Sequence, residues 1–310
     1  MSTIDGTFKR LIIVAYRLPF SIKKTKEGVS LFQNSGGLVS AVMSMAERMG
    51  QSSTDDAPKI HWIGHCDNSL KTVHESAFEN EHFIAHPVFV DDDIHQAFYE
   101  GFCNDMIWPL FHYFPTFASF QEKDFDAYQQ VNNRFLEELT SIIEPGDLVW
   151  IHDFQLMLLP EMLRKAIPSA SIGYFFHIPF PTYEIIKLLP RTWRQALIGG
   201  ILGADVIGFH TADYVQHFMQ NVSEVLALPI IERYVVLEDR SVFVGDFPIS
   251  IDFTKFDEGS QVDAVVTTRQ TNKELLRSEK IIFSVDRLDY AKGITYRLQG
   301  FERFLTQNPE

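Results

Sequence analysis

Residues 172–181, IGYFFHIPFP, constrain the fold more than any other stretch, because an unbroken apolar run stops at a histidine and two prolines. Ile172, Tyr174, Phe175 and Phe176 show no polar alternation, the pattern of a strand covered on both faces in a parallel sheet flanked by helices. Pro179 and Pro181 lack the N–H that a ladder needs, so the strand ends before them. Ligands of open α/β sheets bind outside the carboxyl ends of the strands, where His177 falls.

The rest of the chain repeats this grammar. Residues 11–15 read as a first strand that ends at Tyr16 and Arg17 before Pro19, and residues 23–34 as a polar loop. Ser35-Gly36-Gly37-Leu38 open a helical pattern that runs to Met49. Residues 60–64, 83–90, 148–151, 205–209, 242–247 and 281–285 read as further strands. Helical periodicity covers 91–99, with three aspartates as capping carboxylates, then 124–143, 156–166, 192–202 and 213–226, the last capped by Thr211. Residues 108–120, WPLFHYFPTFASF, mark either core packing or a cleft wall. The fold class is therefore α/β: a first α/β domain over 1–255, a charge-mixed linker over 256–278, and the start of a second α/β unit over 279–310. One strand and one helix cannot bury their apolar faces alone, so this second unit reads as truncated.

Composition narrows the partners. A net charge of −14, from 41 acidic and 27 basic residues, disfavours nonspecific nucleic-acid or anionic-membrane binding, and an anionic substrate needs local cations. Cys66 and Cys103 have no metal-type spacing and form no disulfide framework. The polar start MSTIDGTFKR lacks a signal-peptide core, and no apolar run is long enough to span a bilayer, so a cytoplasmic protein is expected.

Several strand ends carry polar groups: Arg17, His152 with Asp153, His177, His210, and Asp286 with Arg287. Singly each reads as a cap or a satisfied core group; together they outline a cleft. Gly36 and Gly37 before a helix suit either a phosphate approached by backbone N–H groups or an ordinary turn. Arg287 and Lys292 flank a tight turn, which suits a diphosphate or a solvated surface pair. Asp153 reads as a ligand for hydroxyls, a base, or a helix cap. Tyr99 and Trp108 suit a sugar face or core. The histidines and Asp153 have no short ligand spacing, which weakens a metal site.

The motifs VAYRLP (14–19), SGGL (35–38), YEGFCNDMIWPLFHY (99–113), WIHDFQLMLLPEMLR (150–164), FFHIPFP (175–181), LGADVIGFHTADYVQHF (202–218) and SVDRLDYAKG (284–293) resemble those of trehalose-6-phosphate synthases, retaining glycosyltransferases of the GT-B fold. The resemblance implies a first Rossmann-like domain that binds the acceptor and a second that binds the nucleotide sugar, with transfer of glucose from UDP-glucose to glucose 6-phosphate, retention, and no metal or other cofactor. If Glu310 is the true terminus, it also implies little or no turnover from the chain by itself. It implies that Arg17, Tyr99 and Trp108 hold the acceptor phosphate region and that Asp153 holds acceptor hydroxyls. Gly36 and Gly37 would approach the donor diphosphate, His177 would contact the donor sugar, and Arg287 with Lys292 would offset charge on departing UDP. No nucleic acid or membrane partner is implied, and a homo-oligomer is compatible with this reading. Tyr16 stands where the family usually has Asn, Gly64-His65-Cys66-Asp67 replaces Gly-Trp-Pro-Gly, and Ser250 stands in place of Gly. These departures gather on the acceptor side and keep two alternatives in view: glycerol 3-phosphate as acceptor, and a non-catalytic sugar-phosphate sensor or subunit.

Overall fold

The computed structural model describes residues 8–25, 28–33, 39, 42, 60–72, 78–79, 83–276 and 282–309. The chain divides into two compact units, Met1–Ser250 and Ile251–Glu310.

The first unit is built on one sheet. Its strands are β1 (Leu11–Arg17), β4 (Ile60–Cys66), β5 (Phe83–Phe89), β6 (Leu148–His152), β7 (Ser171–Phe175), β8 (Val206–Phe209), β9 (Ile230–Ile231), β10 (Tyr234–Val236) and β11 (Ser241–Asp246). Their order is β5-β4-β1-β6-β7-β8-β11-β10-β9. Every pairing from β5 to β11 is parallel, and only the short edge strands β9 and β10 pair antiparallel. From β1 the chain builds outward through β4 and β5, then returns to the other side of β1 with β6, β7 and β8. The topological switch point thus lies between β1 and β6.

Alternate residues of β1 go to opposite faces. Ile12, Val14 and Tyr16 join the larger core, under the helices that follow β5; Leu11, Ile13 and Ala15 join the smaller core with Trp62 and Phe83. This two-sided burial explains the lack of polar alternation in the sequence. Strand β7 differs: Ile172 and Tyr174 join the larger core, while Gly173 and Phe175 on its other face line a cavity, and the strand ends at Phe175, ahead of its prolines.

Residues 23–34, expected as a loop, instead carry most of an antiparallel ribbon, β2 (Phe20–Thr25) with β3 (Gly28–Gln33). The period-2 signal of Phe20 and Ile22, then Val29 and Leu31, is present in the sequence, but the interspersed lysines read as loop. Gly36, Gly37 and most of the helical pattern after them lie outside the described residues; Val39 and Val42 are helical and buried.

The helical segment after β5 departs from a plain α-helix. Asp92–Gln96 is α-helical, Ala97–Ile107 is a π-helix, and Trp108–Phe111 resumes the α form. Asp91 occupies the N-cap without a side-chain cap bond, so the expected carboxylate cap is not made there. Thr211 does cap its helix, Ala212–Leu226, accepting from the Tyr214 N–H.

The second unit contains the helices Phe253–Gly259, Asp263–Leu276 and Ile294–Gln307, the first two within or overlapping the segment read as a linker. Residues 282–285, expected as a strand, form none, and Ile282, Phe283 and Val285 are each at least 75% exposed. A buried-strand pattern becomes a strand only beside another strand, and this unit offers none among its described residues. No helix among the described residues is long and apolar enough to cross a membrane.

Candidate functional site

The switch point places Arg17 and Asp153 on neighbouring strand ends. Arg17 closes β1, and its side chain is exposed, with Nη2 donating to the Tyr99 hydroxyl at 2.6 Å and the guanidinium 5.8 Å from the Tyr99 ring centre. The Arg17 backbone is fixed from below by Trp62, whose Nε1 donates to its carbonyl at 3.0 Å. Tyr99 sits on the π-helical turn, which also carries buried Phe98, Phe102 and Cys103 into the core. Trp108 follows on the same segment, 6.0 Å from Phe154 between ring centres.

Asp153 immediately follows β6 with φ 72° and ψ 173°, a region that side chains other than hydrogen rarely adopt and that costs about 1–3 kcal/mol. Its surroundings hold it there. The Asp153 N–H donates to the Phe175 carbonyl at 2.8 Å, and the Tyr174 hydroxyl donates to the Asp153 carbonyl at 2.9 Å. Oδ1 accepts from the backbone N–H groups of Phe154 at 2.9 Å and His177 at 3.2 Å. Oδ2 makes no bond to a described residue. Burial pushes the Asp153 carboxyl up to about 6, even though both N–H groups favour its charged form.

The loop after Asp153 is clamped by the long helix Glu122–Ile142. The Tyr128 hydroxyl donates to the Phe154 carbonyl at 2.7 Å and accepts from the Met157 N–H at 2.9 Å. Asn132 Nδ2 donates to the Gln155 carbonyl at 3.1 Å. Sequence reasoning missed Tyr128 and Asn132, because on a helix they look like ordinary positions and only tertiary contact gives them a task.

His177 lies just past β7. Its Nε2 is 3.0 Å from Nδ1 of His152, and its ring stands 4.7 Å from Phe175 and 5.7 Å from His210. The Phe180 and Pro181 carbonyls beyond it are held by His217 and by Asn221, whose Nδ2 donates at 3.0 Å. Burial pulls the His177 imidazole down to about 3 and that of fully buried His152 well below its ordinary value, so both are neutral near pH 7. A cavity of about 390 Å³ lies against these histidines, lined by Trp150, Gly173, Phe175 and Gly208 among others.

Beside Arg17, a set of rings joins three elements. Tyr16 stacks on His65 at 5.3 Å and on Tyr99 at 5.0 Å, and His65 stacks on His95 at 4.5 Å. The Tyr16 hydroxyl and His95 Nε2 also make a short hydrogen bond. Two of the positions that depart from the family pattern, Tyr16 and His65, are thus in direct contact.

The histidines set a pH dependence for stability. Burial lowers His177 to about 3 and both His65 and His86 to about 4, whereas the unfolded chain titrates near 6.5. Between those values the unfolded chain binds more protons, so this stabilisation is complete above about pH 6.5 and is lost as pH falls toward 4. Asp153, raised to about 6, acts oppositely, as do Asp124 and Glu138, whose carboxyls burial also pushes up, but seven histidines shifted down among the described residues outnumber them. The urea midpoint is expected to be lower at pH 5 than at pH 7.5, with a smaller difference in His177→Gln; an equal pH difference in the two proteins would contradict this assignment.

Arg17, Tyr99, Trp108, Asp153 and His177 therefore all belong to one unit and stand along the carboxyl ends of β1, β6 and β7 or the helix beside them. Arg287 and Lys292 belong to the other unit. There Asp289 caps the turn Tyr290–Lys292, its Oδ1 accepting from the Ala291 N–H at 2.9 Å, and Gly293, at φ 62°, leads into the helix Ile294–Gln307.

The sequence matches glycosyltransferase family 20 over residues 9–310. The chain belongs to that family. A UDP-forming alpha,alpha-trehalose-phosphate synthase of Yarrowia lipolytica is 38% identical over 310 residues, covering 97% of this chain and 64% of that protein. A bifunctional trehalose-6-phosphate synthase/phosphatase of Thermoproteus tenax is 38% identical over 304 residues, covering 97% of this chain and 41% of that protein. The chain therefore spans less than two thirds of the length of these family members. Among solved structures, the N-terminal domain of Candida albicans trehalose-6-phosphate phosphatase aligns with a TM-score of 0.81 at 28% identity, over 100% of this chain and 64% of that one. A Burkholderia xenovorans UDP-forming alpha,alpha-trehalose-phosphate synthase in complex with glucose 6-phosphate aligns with a TM-score of 0.78 at 25% identity, over 97% and 63%. The expected fold, α/β and GT-B-like with a Rossmann-like first unit, matches that of solved trehalose-6-phosphate synthases.

Proposed function

We propose that the protein transfers glucose from UDP-glucose to glucose 6-phosphate with retention, giving alpha,alpha-trehalose 6-phosphate and UDP in a cytoplasmic setting. The observation that carries this reading is Asp153: Oδ1 is occupied by two backbone N–H groups, while Oδ2 has no bond to a described residue. A carboxylate locked in this way accepts hydrogen bonds from sugar hydroxyls without having to reorganise. Arg17, steadied by Tyr99, supplies the exposed cation that a sugar phosphate needs on a chain of net charge −14, and Trp108 flanks the same end. His177, neutral, contacts the donor sugar; Gly36 and Gly37, outside the described residues, approach the diphosphate.

In this mechanism the acceptor hydroxyl attacks from the face that UDP leaves, and its proton passes to the departing phosphate oxygen. The protein contributes orientation and charge. Arg287 and Lys292 offset the negative charge that develops on UDP, a task a metal ion performs elsewhere. UDP release measured with glucose 6-phosphate and, separately, with glycerol 3-phosphate tests the reading. A preference for the first is expected. Arg17→Ala should weaken glucose 6-phosphate binding about 10- to 150-fold, the loss of a charge-assisted contact of about 1.5–3 kcal/mol. Preference for glycerol 3-phosphate, or unchanged affinity in the variant, would overturn the acceptor assignment.

A second reading, a sugar-phosphate-binding subunit without transfer, draws support from the alignment with a domain of a trehalose-6-phosphate phosphatase. Glucose 6-phosphate binding without any UDP-glucose binding would favour it.

A further inference from the structure

The pair His152–His177 can share its single proton in two ways. If Nε2 of His177 donates, Nδ1 of His152 must be bare, so His152 carries its own proton on Nε2. That Nε2 is fully buried and has no partner among the described residues, and His152 as a whole is 1% exposed. The result would be an orphaned N–H inside the protein, a rare arrangement. If Nδ1 of His152 donates instead, the atom left unpaired is a lone pair on Nε2, which is more readily tolerated. A doubly protonated ring would remove the choice, but burial keeps both imidazoles neutral near pH 7.

We propose that His152 is a positioning residue whose Nδ1–H donates to Nε2 of His177, fixing His177 as the tautomer that carries its proton on Nδ1. Resting on the function proposed above, this gives His177 one possible use: an N–H donor to an oxygen of the sugar nucleotide. With its only basic nitrogen occupied inside the protein, His177 is excluded as the general base. Removal of the acceptor proton then falls to the leaving phosphate. The surroundings support a fixed pair. Trp150 lies 4.5 Å from the His152 ring and Phe175 lies 4.7 Å from the His177 ring, while Asp153 fastens the His177 backbone.

Histidine-selective ¹⁵N labelling of this chain tests the assignment, with the His177 signals identified by their loss in His177→Gln. At pH 7.5 His177 is expected to show a protonated Nδ1 and a bare Nε2. His152→Asn, whose amide N–H can replace the donor, should keep that pattern. His152→Phe, judged folded by its circular dichroism, should shift the signals toward the other tautomer or a mixture. If His177 is protonated on Nε2 in the parent chain, the proposal is wrong. The same holds if His152→Phe leaves its signals unchanged. Should His152→Phe fail to fold, the parent and His152→Asn spectra still decide the matter. None of these readouts requires turnover, so failure of the proposed glucosyl transfer would leave the tautomer result standing, and the reverse is also true.

Discussion

Replacing Asp153 by asparagine is expected to lower glucosyl transfer about 100-fold or more while changing stability by less than about 1 kcal/mol. The two effects separate because the two carboxylate oxygens have different tasks. The amide oxygen of asparagine can still accept from the Phe154 and His177 N–H groups, as Oδ1 does now. Asparagine also tolerates the positive φ of 72° better than most residues. Its NH₂ would then take the place of Oδ2, which in the function proposed above accepts from acceptor hydroxyls, and would offer donors in place of an anionic acceptor. UDP release and urea unfolding, measured side by side, check this. A near-normal rate would remove Asp153 from the acceptor site, and a large drop in stability would make its role chiefly structural.

Gly203→Ala should destabilise the first unit by about 3 kcal/mol or more, whereas Gly199→Ala should be neutral or stabilise it by up to about 1 kcal/mol. A Cβ at Gly203 would lie 2.1 Å from the Glu161 nitrogen and 2.2 Å from the Pro160 carbonyl carbon. Those are backbone atoms at the start of the helix Leu159–Ala166, so no side-chain rotation relieves the contact. A Cβ at Gly199, in the helix Arg191–Ile201, meets nothing within 4 Å, and alanine there only removes the helical cost of glycine. Urea unfolding of the pair provides its own control for the chemical change. Equal effects would mean that the close approach at Gly203 relaxes at little cost. The helix that Gly203 supports begins soon after Asp153, so Gly203→Ala is also expected to disturb the loop that tightens that carboxylate.

Much of this arrangement is legible in the order of residues. Apolar runs marked β1, β6, β7 and β8 as strands, the run at β7 as one covered on both faces, and the polar residues that end them outlined a cleft. The ribbon β2–β3 was obscured because lysines interrupt its alternation, and residues 282–285 misled because an apolar run states a preference for burial without supplying a neighbouring strand. The π-helical segment that carries Tyr99 was not set apart in the sequence from the helix around it; its buried residues Phe98, Phe102 and Cys103 belong to the larger core.

The sequence by itself determined the α/β class, the strand ends that carry Arg17, Asp153 and His177, and the family, because periodicity and motif spacing are local properties of the chain. Tertiary structure alone decided that β1 and β6 are neighbours across the switch point, and so that Arg17 and Asp153 share one edge. It alone showed that one oxygen of Asp153 is consumed by backbone while the other is left, that His152 meets His177, and that Tyr16 and His65 stack together. The reason is physical: strand order and hydrogen-bond partners arise from contacts between residues far apart in the chain. Such contacts are selected by burial and geometry in three dimensions, and no local pattern encodes them.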